Sequence, residues 1–390
     1  MSKWEWKKLK DICEKGSSNI KQSDLKDLTG DYPIFSASGY IQNVDFYQRD
    51  RDYIGIIKDG SGVGRTMLLP AFSSVIGTLQ YILPKEGNDI KFINYALQNI
   101  DFSKSVQGAA IPHIYFKDYG ETEILVPPLS EQKRIVKFLD EEFSKIDTLK
   151  TNAETNLKNA KELFETTLEK ELNPLSRHSE RSEESSADLP SGWEWKTLGD
   201  VCEKISDGSH NPPKGTAANE YKMLSSKNIF NDSLNFDDPR FLTKEEFDLE
   251  NKRTNVKKGD ILLTIVGTIG RCCVFLEDEP VVFQRSVAVL KPNVSLVYSR
   301  FLMYGIIALN IEKLGRGAAQ KGVYLKQLSN ISVPLPPLSV QKEIVARLDK
   351  LSENVKRLEA NYKQIIANCD ELKKSILKKT FEGDSRSSRE

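Results

Sequence analysis

Long apolar runs are absent from this 390-residue chain. No stretch approaches the roughly 18 consecutive apolar residues of a membrane span, and the opening Met1-Ser2-Lys3-Trp4-Glu5-Trp6 lacks the apolar region of a signal peptide. A cytoplasmic protein is expected. Cysteine is scarce: Cys13, Cys202, Cys272, Cys273 and Cys369 form no C-x-x-C pair, and an odd number does not suit a disulfide framework. All five are expected to be structural thiols. Of the three histidines, His113, His178 and His210, none lies near a cysteine pair, so a zinc site lacks its ligand set. No G-x-x-x-x-G-K-S/T segment exists, and the glycine clusters miss the G-x-G-x-x-G spacing, which argues against a nucleotide-binding loop. An excess charge of either sign is missing too. Lys plus Arg and Asp plus Glu number 56 each, which does not suit a protein that coats nucleic acid through many phosphate contacts. A reader that makes a few base contacts, with partner chains gripping the backbone, is still allowed.

What the chain has is a repeat of itself. Trp4-Glu5-Trp6-Lys7-Lys8-Leu9-Lys10-Asp11-Ile12-Cys13-Glu14-Lys15 returns as Trp193-Glu194-Trp195-Lys196-Thr197-Leu198-Gly199-Asp200-Val201-Cys202-Glu203-Lys204. Gly108-Ala109-Ala110 followed by Tyr115-x-Lys117 is matched by Gly317-Ala318-Ala319 followed by Tyr324-x-Lys326. Val126-Pro127-Pro128-Leu129-Ser130-Glu131-Gln132 parallels Leu335-Pro336-Pro337-Leu338-Ser339-Val340-Gln341. Between these matched edges, residues 16–60 do not align with 205–265. One scaffold carrying two different surfaces is the inference.

The expected organisation is a globular domain over 1–125, a long helix over 126–175, a flexible linker over 176–192, a second globular domain over 193–333, a second long helix over 334–383 and a frayed tail over 384–390. After each Pro-Pro the apolar period changes. Ile344, Leu348, Leu351, Val355, Leu358, Tyr362, Ile365, Cys369, Leu372 and Ile376 step by four and three, an a/d seam. The first-half seam is Ile135, Leu139, Glu142, Ile146, Leu149, Ala153, Asn156, Ala160, Leu163 and Thr167, with Phe143, Leu157, Phe164 and Leu168 widening the apolar face. Residues 130–172 carry more acids than bases and 341–382 the reverse, which favours pairing of the two helices as an antiparallel coiled coil; a parallel intermolecular coiled coil is the alternative. Ser130 and Ser339 are the expected helix N-caps.

A domain opening with Leu189-Pro190-Ser191-Gly192-Trp193-Glu194-Trp195 and closing with Pro334-Leu335-Pro336-Pro337-Leu338-Ser339-x-Gln341, duplicated in one chain, resembles the specificity subunits of type I restriction-modification systems. The first copy departs at its start, where Met1-Ser2-Lys3 stands. The resemblance implies two α/β target-recognition domains, each reading half of a bipartite site on double-stranded DNA. It also implies helices that form a spacer and dock methyltransferase subunits, two of them, with restriction subunits joining through that core. S-adenosylmethionine, ATP and Mg would then belong to the partners, and this chain would be non-catalytic. Tyr32-Pro33-Ile34-Phe35-Ser36-Ala37-Ser38-Gly39 and Asp207-Gly208-Ser209-His210-Asn211-Pro212-Pro213 look like two different recognition-domain subtypes.

Two kinds of loop carry the candidate DNA contacts. Tyr53-Ile54-Gly55-Ile56-Ile57-Lys58 and Ile261-Leu262-Leu263-Thr264-Ile265-Val266 read as buried strands feeding glycine-rich turns that end in Arg65 and Arg271. Each is read as a hairpin, its arginine either reaching DNA or merely solvated. Near each domain's end, Gln107 to His113 and Arg316 to Gly322 hold side chains suited to guanine, adenine and phosphate. The candidates are Lys58, Ser61, Arg65, Gln107, His113 and Lys117 in the first half. In the second they are His210, Lys214, Thr268, Arg271, Arg316, Gln320, Lys321 and Lys326. Tyr115 and Tyr324 read equally as core or contact. Asn211-Pro212-Pro213 resembles the start of the Asn-Pro-Pro-aromatic motif of adenine methyltransferases, but Lys214 replaces the aromatic that stacks on a flipped base. A methyltransferase in its own right is thus the enzyme alternative, and a coiled-coil protein-binding scaffold the other.

Overall fold

The structure, a computed structural model, describes residues 4–108, 111–172, 189–315 and 322–382. The chain divides into two compact units, Met1–Thr155 with Tyr362–Glu390, and Asn156–Asn361.

In the first unit, β1 (Glu5–Lys8) and the one-turn α1 (Leu9–Ile12) lead into β2 (Cys13–Ser17), followed by β3 (Tyr32–Ser36), β4 (Gly39–Val44), β5 (Tyr53–Ile57), β6 (Thr66–Leu69), β7 (Ser74–Val75) and β8 (Leu79–Pro84). Then come α2 (Ile90–Gln98), the short α3 (Phe116–Tyr119), β9 (Glu123–Val126), which pairs with β1, and the long α4 (Leu129–Leu172). Two small sheets form, in the orders β2-β8-β5-β6 and β4-β3-β7. Every residue of β5 is buried because both faces are covered. Ile54 and Ile56 pack towards the helices with Phe92, Leu139 and Phe143, whereas Tyr53 and Ile57 pack towards the second sheet with Ile34, Val75 and Tyr81. Each such buried side chain contributes about 1.5–3 kcal/mol.

The second unit repeats this plan with β10 (Glu194–Thr197), α5 (Leu198–Val201), β11 (Cys202–Asp207), β12 (Lys222–Leu224), β13 (Ile229–Phe230), β14 (Ser233–Leu234) and β15 (Arg240–Phe241). It continues through α6 (Lys244–Thr254), β16 (Ile261–Thr264), β17 (Cys272–Val274), β18 (Val281–Phe283), β19 (Val287–Pro292), α7 (Ser299–Ala308), α8 (Leu325–Ser329), β20 (Ser332–Leu335) and α9 (Leu338–Glu382). Its sheets run β11-β19-β16-β17 and β15-β12-β18, the same two orders as in the first unit. In both units the central strand of the smaller sheet pairs antiparallel on one side and parallel on the other. The middles of the repeats fail to align in sequence because the second unit adds the β13–β14 hairpin and α6 between its shared strands.

Ser130 and Ser339 are not the N-caps. α4 and α9 open one residue earlier, because the carbonyls of Pro128 and Pro337 already accept the N–H groups of Gln132 and Gln341 at 3.0 Å, which leaves the serines inside the first turn. The expected seams are buried at Ile135, Leu139, Ile146, Ala153 and Ala160 of α4 and at Ile344, Leu348, Val355 and Cys369 of α9, and depart elsewhere. In α4, Phe143 and Leu168 are buried and Phe164 is half-buried, while Leu149 and Leu163 are 50% and 55% exposed; in α9, Leu377 is buried and Leu372 is 48% exposed. A stripe on a helix of 3.6 residues per turn drifts from a strict 3.5-residue repeat, so the inward face passes to residues beside the expected positions.

All five cysteines are free and buried. Burial pushes the thiols of Cys13, Cys202 and Cys273 up to about 12 and raises that of Cys272 well above its ordinary value, which keeps them protonated and inert. No helix among the described residues is long and apolar enough to cross a membrane.

Candidate nucleic-acid interface

The carboxyl ends of β2, β3, β5 and β7 gather at one end of the first unit, beside the start of β8. There the chain makes the turn foreseen between Tyr53 and Arg65. Gly64 donates to the Ile57 carbonyl at 2.9 Å and Ile57 donates to that of Arg65 at 2.9 Å, and Gly64 closes the loop at φ +87°, which a side chain would strain. The second unit builds the same closure, with Gly270 donating to Thr264 and Thr264 to Arg271, both at 2.9 Å, and Gly270 at φ +94°.

The structure then joins two segments that are far apart in sequence. Ile114 donates to the Lys58 carbonyl at 3.0 Å and Gly60 to that of Pro112 at 2.9 Å, so the loop after β5 and the segment 107–115 share one surface. His113 Nδ1 pairs with the Asp59 carboxylate, its ring lies 4.0 Å from that of Tyr115, and Lys117 Nζ sits 5.3 Å above the Tyr115 ring. Lys58 Nζ is 3.9 Å from Asp59, and Gln107 Nε2 donates to Asp118 at 3.1 Å. Ser61 and Arg65 are exposed beside them. Six separate sequence candidates thus fall into one patch.

In the second unit Val323 donates to the Ile265 carbonyl at 2.9 Å, the counterpart of the Ile114–Lys58 bond, and Val266 bridges to Gly322. Thr268 and Lys326 are exposed at this end. Arg271 is held by its own domain, with its guanidinium 5.1 Å over the Phe230 ring. His210 Nε2 lies 2.7 Å from Asp207 Oδ2, and Arg253 pairs with the other carboxylate oxygen. Burial works to raise the Asp207 carboxyl, but the bonds from Arg253 and His210 outweigh it and hold it below the usual carboxylate range. Lys214 is exposed just after Pro213, whose carbonyl accepts from Arg240 at 2.5 Å. Arg316, Gln320 and Lys321 lie outside the described residues. Tyr115 and Tyr324 are 43% and 69% exposed, so neither belongs to the core. No group of three His, Cys, Asp or Glu able to hold a metal occurs among the described residues.

The sequence reading missed Asp59, Asp207 and Arg253, the groups that orient His113 and His210. It also missed a lock repeated in both halves. Lys91 Nζ and Tyr95 Oη donate to Asp140 at 2.7 and 2.6 Å, while Arg300 Nε and Tyr304 Oη donate to Asp349 at 2.8 and 2.7 Å. Burial first, then the neighbouring carboxylate, pushes both tyrosine hydroxyls well above their ordinary range. The signal was available: the partners are 49 and 45 residues apart in each half.

The comparisons agree with the repeat. The family model described as "Type I restriction modification DNA specificity domain" matches residues 1–159 and again 190–367. The chain is 26% identical to the EcoBI specificity subunit of Escherichia coli, over 72% of this chain and 62% of that one, so it spans less than two thirds of that relative. It is 24% identical to the MjaVIII specificity subunit of Methanocaldococcus jannaschii, over 98% of this chain and 93% of that one. Among solved structures, a chain of a type I R-M system superposes with a TM-score of 0.71 at 21% identity, covering 98% of both chains. The HsdS subunit from Thermoanaerobacter tengcongensis follows at 0.55 and 22%, covering 98% of this chain and 97% of that one. With a match in each half that together takes in most of its length, the chain belongs to the type I restriction-modification DNA specificity family: it is a specificity subunit of such a system and not one of its enzymes.

Proposed function

We propose that the two units each read one half of a bipartite, asymmetric DNA target. The observation that carries this reading is the repeated end of the sheets. The same backbone closure displays Lys58, Ser61, Gln107 and His113 in one unit and His210, Thr268, Tyr324 and Lys326 in the other. A shared scaffold with unlike side chains is what two different half-sites require, because base edges are told apart by the donors and acceptors presented to them. The full contact set is Lys58, Ser61, Arg65, Gln107, His113 and Lys117, with His210, Lys214, Thr268, Arg271, Arg316, Gln320, Lys321 and Lys326. The recognition domains are 1–125 and 193–333, the spacer helices 126–175 and 334–383, the linker 176–192 and the tail 384–390.

The helices pair as an antiparallel coiled coil. Within the first unit Lys150 reaches Asp370 at 2.8 Å and Lys373 reaches Asp147 at 2.5 Å, and within the second Arg347 reaches Glu171 at 2.6 Å, which supports that sense of pairing. Two methyltransferase subunits dock on this core and restriction subunits join it, in the cytoplasm, with S-adenosylmethionine, ATP and Mg bound by those partners.

Methylome sequencing of cells with and without the gene tests the reading. Loss of one gapped, two-part methylation motif is expected. An unchanged methylome, together with no DNA retained by the chain and its partner subunits, overturns it.

A further inference from the structure

Arg285 was no part of the contact set, and its surroundings single it out. It stands in the turn between β18 and β19, at the end of the second unit where His210, Val266 and Tyr324 gather. The backbone there is tied down. Ser209 donates to the Phe283 carbonyl at 2.8 Å, Arg285 to that of Ser209 at 2.8 Å, and Val287 closes the turn on Gln284 at 3.0 Å. Gly208 fits this crossing only because it lacks a side chain, since a Cβ there would meet the Phe283 carbonyl oxygen at 2.0 Å. The Arg285 side chain is exposed and lines a cleft with Asp207, His210, Val266, Gly322 and Tyr324. Asp207, the acid of that cleft, is already taken by Arg253 and His210, and among the described residues no ion pair or hydrogen bond engages the Arg285 guanidinium. The cleft therefore holds a fixed backbone and a five-donor fork that no described residue occupies.

The first unit forms the same turn without that side chain. Gly77 donates to the Ile20 carbonyl at 2.8 Å, as Arg285 does to Ser209, and Leu79 closes on Ile76 at 3.0 Å. At one structurally equivalent position, one unit has glycine and the other an arginine that no described residue engages.

We propose that Arg285 is the residue with which the second unit reads a guanine in its half of the target. This rests on the two-domain reading above. The guanidinium fork matches the O6 and N7 acceptors of guanine in the major groove, and its anchored backbone sets the fork's approach before DNA arrives. Because Gly77 can make no such contact, the corresponding preference is missing from the other half-site.

The test is the methylome of cells in which the full complex carries Arg285→Ala, beside the wild type. One guanine position in one half-site is expected to become degenerate, with discrimination there falling about 5- to 100-fold and the other half-site unchanged. A motif unchanged at every position overturns the proposal, as does a uniform fall in methylation with base preference intact, which marks a phosphate contact. If the alanine variant methylates nothing, Arg285→Gln decides: its amide suits adenine rather than the two acceptors of guanine, so relaxation or a changed base at the same position supports the proposal and an unaltered motif sinks it. A wild-type complex that yields no two-part motif overturns the two-domain reading itself, an outcome separate from any result on Arg285.

Discussion

Gln132 and Gln341 show how one side chain can fix a whole junction. Each is buried, and each ties the start of its long helix to the start of the preceding domain helix. Gln132 Oε1 accepts from Asp89 N–H at 2.7 Å while its Nε2 donates to Pro127 at 2.9 Å; Gln341 accepts from Tyr298 at 2.8 Å and donates to Pro336 at 2.8 Å and Leu296 at 3.0 Å. Leucine has similar bulk but would strand a backbone N–H and carbonyls in the interior, and each stranded group costs about 1–3 kcal/mol. Gln341→Leu is therefore expected to destabilise the second unit by about 2–4 kcal/mol, read as a lower midpoint in denaturant with an unchanged slope. A midpoint within error of the wild type would show that the bonds contribute nothing net. The repeated Pro-Pro-Leu-Ser-x-Gln was plain in the sequence, but its function was not. Serine drew notice as a cap by its type, whereas the glutamine acts through backbone groups 43 residues away that only the fold brings near.

At the scale of elements, strands and long helices were legible because periodicity and burial agree. The β5 and β16 runs are wholly buried, as their apolar sequences imply. Side-chain seams were less legible, since the face a long helix turns inward depends on what packs against it. The two helix ends differ in an instructive way. In the first unit the Phe381 ring packs tilted against that of Phe92 with centroids 5.4 Å apart. In the second, Leu172 stands near Phe301 at the end of α4, and the smaller side chain leaves an apolar cavity of about 200 Å³ bordered by Leu172, Trp195, Phe301, Gly305 and Leu309. Leu172→Phe should fill part of that space and raise stability by about 0.5–2 kcal/mol, the usual gain for cavity filling. A higher melting temperature for the variant checks it, and a lower one would mean that the walls cannot accommodate the ring.

For the whole molecule, the two units have separate cores, and the candidate contacts among the described residues lie, in each unit, on that unit's own loops and on the short α3 or α8. The contacts themselves were the least legible feature, because Lys58 and His113 become neighbours only through the Ile114–Lys58 bond, and Arg285 sits in a turn whose counterpart is a plain Gly77. Independence of the units makes a specific demand on a chimera. Replacing residues 16–110 with the matching segment of a relative removes Lys58, Ser61, Arg65 and Gln107 but leaves every contact of the second unit in place. It also removes Asp89, Lys91, Phe92 and Tyr95, which bind Gln132, Asp140 and Phe381 of the retained helices. A donor must therefore supply an acid-capped helix with a cation and a tyrosine at those positions, or the first unit will lose its hold on α4. With such a donor, the methylation motif should change in one half-site and keep the other. A change in both halves would mean that the units do not read independently, and loss of all methylation by a donor that meets these requirements would mean that the segment does more than read DNA.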